Sequence, residues 1–94
     1  MRGEAIRVTG IVQGVGFRPT VWRLANECGI TGTIRNDAAG VLIHAWGSRE
    51  SLEELVRRIR AERPPLSQID EIVRAALDDA AEAPEGFQIV TSQQ

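Results

Sequence analysis

The chain has 94 residues, 43% of them hydrophobic and 26% charged, with a formal net charge of −2. One domain of this size buries roughly 60 to 68% of its unfolded surface, so the composition excludes a disordered, collagen-like or fibrous chain. A pI near 5.4 lacks the basic footprint of a nucleic-acid binder, and no apolar run approaches the roughly 20 residues that a bilayer demands.

In chain order, Ala5 to Val12 reads as a strand, with Ile6, Val8 and Val12 on the better-buried face and Arg7, Thr9 and Ile11 on the other. The preceding residues, MRGEAIRVTG, interrupt any apolar stretch with charge, so no export signal is expected and the default location is cytoplasmic. The strand ends at Gln13, and a Gly-Val-Gly loop follows. Pro19 suits the first position of a helix, where a missing N–H costs nothing. Val21, Leu24, Ala25 and Cys28 then recur with helical spacing up to Gly29, a C-cap residue, which predicts a helix over about 19–28.

Ile30 to Asn36 and Val41 to Trp46 read as two antiparallel strands joined by Asp37-Ala38-Ala39-Gly40. Ser48 is positioned to cap a second helix, whose Leu52, Leu55, Val56 and Ile59 form one stripe, with Glu53/Arg57 and Glu54/Arg58 as pairs on its outer side. Pro64-Pro65 ends it, Ile69 to Leu77 is a further strand, Asp78 to Glu85 an acidic loop, and Phe87 to Val90 a short last strand. The order is β-α-β-β-α-β plus one strand. This predicts an α+β, ferredoxin-like α/β sandwich: an antiparallel sheet with two helices on one face.

Side-chain chemistry is narrow. A lone Cys28 and a lone His44 provide neither a disulfide nor a zinc set. Lysine is absent, which excludes Schiff-base chemistry, and all eleven basic residues are arginine, the side chain suited to forked recognition of phosphate or carboxylate. Ten of them lie in residues 1–69.

The distinctive stretch is Gln13-Gly14-Val15-Gly16-Phe17-Arg18, where a strand stops, two glycines turn the chain and a helix begins. Free backbone N–H groups of such a loop converge on one point, and Arg18 adds a full charge and forked donors. No Gly-Lys-Ser/Thr follows, so this is not a P-loop; Pro19 and the missing third glycine exclude a dinucleotide fingerprint. Strand alternation puts Asn36 on the helix-facing side with Ile30, Gly32 and Ile34, near the loop if the central strands are neighbours; alternatively, Asn36-Asp37 merely starts the hairpin turn. The set offers no general acid or base. That suits an acyl phosphate, whose carboxylate or carbamate leaves unprotonated, better than a phosphate monoester.

These residues carry a resemblance. V-T-G-I-V-Q-G-V-G-F-R, Val8 to Arg18, and G-T-I-R-N-D-A-A-G-V, Gly32 to Val41, are similar to the acylphosphatase family. R-P-T-V-W-R-L-A, Arg18 to Ala25, and P-P-L-S-Q-I-D, Pro64 to Asp70, most resemble the N-terminal acylphosphatase-like domain of hydrogenase-maturation carbamoyltransferases. The resemblance implies that residues 1–94 form one acylphosphatase-like domain that hydrolyses an acyl phosphate without metal or other cofactor. Arg18 and the amides of residues 13–18 would bind phosphate, and Asn36 would orient the attacking water. It further implies carbamoyl phosphate as substrate, and downstream domains and hydrogenase-maturation proteins as partners, with neither nucleic acid nor membrane involved. A free-standing acylphosphatase and a non-catalytic phosphate-binding or docking module remain alternatives.

The other chemically notable residues have plainer readings. Cys28 and Phe17 are expected to pack, His44 to lie on a sheet face, and Trp22 and Trp46 to cover the sheet or a domain contact. Arg35 is expected to be solvated on the opposite face from Asn36.

Overall fold

A computed structural model describes residues 2–78 and 82–90. The elements are β1 (Arg2–Ile11), α1 (Phe17–Glu27), β2 (Thr31–Asp37), β3 (Gly40–Gly47), α2 (Arg49–Ala61), β4 (Gln68–Ala76) and β5 (Phe87–Ile89). They form one five-stranded sheet in the order β4-β1-β3-β2-β5. The β1–β3, β1–β4 and β2–β3 pairs are antiparallel as expected, whereas β5 runs parallel to β2, so the sheet is mixed. The expected ferredoxin-like sandwich is the observed architecture.

Period-two alternation decides which face is covered. Ile6 of β1, Ile43 of β3 and Ile34 of β2 sit side by side across the sheet, and Val8, Val41 and Asn36 form the next row. All five apolar residues of these rows are fully buried, in one cluster with Val21, Leu24 and Ala25 of α1 and Leu52, Leu55 and Ile59 of α2. Both helices therefore pack on the same face. Arg7, Arg35, His44 and Trp46 alternate onto the other face, where the His44 and Trp46 rings meet edge to face at 6.4 Å.

Several boundaries move for physical reasons. α1 begins at Phe17 rather than Pro19, because the Phe17 ring enters the core (2% exposed) and draws its residue into the first turn. Pro19 is consequently the third helical residue, still among the four whose N–H has no intrahelical partner. The helix ends at Glu27 with Cys28 as its C-cap, so Cys28 is only partly buried rather than a helical core position. Gly29 follows as anticipated: its N–H donates to Asn26 O and that of Ile30 to Ala25 O, closing a Schellman motif.

The Ser48 side chain caps α2 by accepting from Ser51 N at 3.0 Å. The anticipated Glu53/Arg57 and Glu54/Arg58 pairs are replaced. Glu54 binds Arg57 one turn away, Glu53 reaches Arg74 on β4, and Arg58 turns inward to Glu27 of α1 and Glu62. Tertiary partners thus take Glu53 and share Arg58, while Glu54–Arg57 and Arg58–Glu62 remain local pairs. Of the acidic loop, residues 79–81 lie outside the described residues, and Val90 follows β5 rather than ending it.

Candidate functional site

The β1–α1 loop is built around its backbone. Gly14 and Gly16 have φ of +74° and +81°, while no non-glycine residue in the described chain has positive φ. The sign of φ thus alternates along Gly14-Val15-Gly16-Phe17, the pattern that turns successive N–H groups toward a common centre and makes an anion nest. A Cβ at either glycine would meet nothing within 4 Å. These glycines serve the backbone conformation and leave open space in front of the amides.

Gly16 is also the N-cap of α1, with no side-chain cap and no acidic residue in the first turn. Among the described residues, the N–H groups of residues 13–17 donate to no backbone carbonyl. The helix therefore presents its positive end to the loop. Arg18 is the second residue of that helix and is partly exposed. The Thr20 hydroxyl donates to Gly16 O at 3.1 Å, which fixes the peptide plane at the helix entry.

The β2–β3 hairpin end is tied directly to this loop. Gln13 Nε2 donates to Asp37 O at 2.7 Å and to Gly40 O at 3.0 Å, so the first residue of the loop grips both ends of the hairpin turn. Arg7 of β1 holds the same turn from the other face, donating to Asp37 Oδ1, which also accepts from Ala39 N at 2.9 Å. The Arg7 guanidinium keeps the Asp37 carboxyl below its ordinary range, ionised throughout the neutral region.

Asn36 is the residue before this clasp, on the helix-facing side and only 9% exposed. Its Oδ1 is buried and accepts no hydrogen bond among the described residues. Leaving such an acceptor unsatisfied costs about 1 to 3 kcal/mol, so a native structure that retains one invites a functional explanation. The two sequence motifs are thus joined through Gln13, with Asn36 at the hairpin end and Arg18 at the helix end. The Gln13 side chain is engaged by the hairpin, leaving its backbone N–H to the loop.

Sequence reasoning missed the clasp. Arg7 and Asp37 lie thirty residues apart, on β1 and at the end of β2 with β3 between them, so neither spacing nor direct strand pairing suggests the contact. Arg35 does alternate away from Asn36, but it is not simply solvated, since its Nε is buried with no hydrogen-bond partner among the described residues. His44 lies on the open sheet face as expected, and burial, followed by the Arg35 and Arg7 charges, pushes its imidazole below the ordinary value. Trp22 donates its indole N–H to Phe87 O at 2.9 Å, fastening α1 to the edge strand. No cluster of three or more potential metal ligands occurs among the described residues.

Comparison with known proteins sets this geometry in context. The acylphosphatase family model matches residues 4–89. A carbamoyltransferase HypF2 of Cupriavidus necator is 52% identical over 87 residues, which is 93% of this chain and 11% of that protein. An acylphosphatase of Lactobacillus johnsonii is 42% identical over 73 residues, covering 77% of this chain and 80% of its own. Among solved structures, full-length HypF in a phosphate- and nucleotide-bound form superposes with a TM-score of 0.90 at 34% identity, covering 97% of this chain and 12% of that one. The acylphosphatase of Bacillus subtilis does so with a TM-score of 0.87 at 32% identity, covering 96% and 99%.

Proposed function

The chain belongs to the acylphosphatase family and is a hydrolase of that type, and from that premise we propose that the β1–α1 loop and the β2–β3 hairpin are its active site, acting on carbamoyl phosphate. The loop amides and Arg18 bind the phosphoryl oxygens. Asn36 Oδ1 accepts a hydrogen bond from the attacking water and aligns the water's oxygen with phosphorus. The buried, unpartnered Asn36 acceptor, at the hairpin end that Gln13 ties to the loop, is the observation that carries this reading.

The chemistry follows from the residue set. Water oxygen bonds to phosphorus as the bond from phosphorus to the acyl oxygen breaks, and the bonding pair leaves with the carboxylate or carbamate. The water's proton passes to a phosphate oxygen, and inorganic phosphate departs. A good leaving group makes this step chiefly a matter of position and charge, which an amide nest and a guanidinium supply. Arg18 adds charge-assisted donors to the equatorial oxygens, where negative charge spreads in a loose transition state.

Carbamoyl phosphate is favoured because the chain is similar to carbamoyltransferases, of which it spans only 11% and 12%. The same likeness supports a role as the acylphosphatase-like domain of such an enzyme, in hydrogenase maturation. Phosphate release from carbamoyl phosphate and from an aromatic acyl phosphate tests this. Cleavage of both, with carbamoyl phosphate having the higher kcat/KM, is expected; cleavage of the aromatic substrate alone would overturn the choice of substrate.

A further inference from the structure

Three guanidiniums line one open pocket of about 300 Å³ at the opposite end of β1 from the loop, formed by Arg2 and Glu4 of β1, Arg49 and Glu53 of α2, and Arg74 of β4. Its wall is rigid. Glu4, only 4% exposed, accepts from Arg74 Nε at 2.8 Å and Nη2 at 3.0 Å, while Arg74 Nη1 pairs with Glu53 at 2.9 Å. Arg74 therefore spends its donors on the protein. Arg2 is held only by a 3.5 Å contact to Glu4, and Arg49 has no ion-pair partner among the described residues.

The balance of charge points to a ligand. Three arginines face two carboxylates, and the excess positive charge falls on the two side chains that retain unused forked donors. The adjoining groove on the outer face of α2 is lined by Glu50, Glu53 and Glu54 together with Arg49 and Arg57, three carboxylates against two guanidiniums, so the excess positive charge lies on the Arg2 side of Arg49. We infer that this pocket binds a small soluble oxyanion, a carboxylate or phosphate carrying about one negative charge, between Arg2 and Arg49. Ala5 to Ile11 of β1 run between Glu4 and the phosphate loop, which puts Glu4 and Gln13 on the order of 30 Å apart at the rise of an extended chain. The pocket is thus independent of the hydrolytic site.

The test is a titration of the whole chain with sodium phosphate and, separately, sodium acetate, following the arginine Nε–Hε resonances, with sodium chloride as the ionic-strength control. Saturable shifts at Arg2 and Arg49 are expected. They should persist in Arg18→Ala and weaken at least about tenfold in affinity in the Arg2→Gln/Arg49→Gln double variant, the scale for losing charge-assisted hydrogen bonds. Saturation with phosphate alone assigns a phosphoryl ligand, and with acetate alone a carboxylate. Shifts that follow chloride equally, or that survive unchanged in the double variant, would overturn the inference.

Discussion

Asn36 and Gln13 divide the work of the hairpin end between them. Asn36 presents a buried acceptor with no partner among the described residues, whereas Gln13 spends its amide holding the turn that follows Asn36. Their variants should therefore separate. Asn36→Ala is expected to lower kcat about 10²-fold, with KM changing much less, because water alignment matters in the transition state and phosphate binding lies elsewhere. Gln13→Ala loses two hydrogen bonds and should destabilise the fold by about 1 to 2 kcal/mol in urea unfolding, with kcat reduced as the hairpin loosens from the loop. An Asn36→Ala variant whose KM rises while kcat holds would place Asn36 in binding instead.

At the scale of elements, the proposed site is a strand end, a glycine loop and a helix start brought against a hairpin. Gly16→Ala keeps the space but forces a Cβ into a left-handed φ of +81°, costing about 1 kcal/mol and turning the amides from their common centre. Affinity for inorganic phosphate should fall with it, as calorimetry would show. Ser48→Ala, which removes the α2 cap far from the loop, should cost about 1 kcal/mol and leave phosphate affinity unchanged. Much of this architecture could be read from the sequence, because both helices and the first three strands carry clean periodicity: Ile6 and Val8, Ile34, Ile43, and Leu52, Leu55 and Ile59 bury as their spacing dictates, with Val56 of the same stripe partly buried. Gly14, Gly16 and Arg18 were legible as a loop motif for the same local reason. What escaped was non-local. The Arg7–Asp37 ion pair, the Gln13 clasp and the pairing of Glu53 with Arg74 depend on strand register and on helix orientation, which one-dimensional spacing does not encode. The parallel direction of β5 escaped likewise, since a three-residue strand carries no signal of its orientation.

The molecule as a whole buries one face of its sheet and leaves the other to Arg7, Arg35, His44 and Trp46, and this asymmetry shapes its response to pH. His44 has its proton affinity lowered from 6.5 on folding, so the unfolded chain binds more protons below that value. Stability is accordingly full above about pH 6.5 and declines as pH falls toward the folded value. The Asp37, Glu27, Glu54 and Glu62 carboxyls, each lowered by an arginine partner, add a second decline below about pH 4.5 as they become protonated. Urea midpoints against pH should show both for the parent, and His44→Gln should lose the first decline alone; equal slopes for parent and variant would refute the assignment. On the proposed reading, the anion nest and its arginine together carry the hydrolysis. Release of inorganic phosphate from an aromatic acyl phosphate, measured for the chain and for Arg18→Ala under saturating substrate, tests it most directly. Hydrolysis by the parent is expected, with a kcat lower by about 10² to 10³-fold in the variant, the scale for removing a transition-state donor. Equal turnover by a folded Arg18→Ala would contradict it.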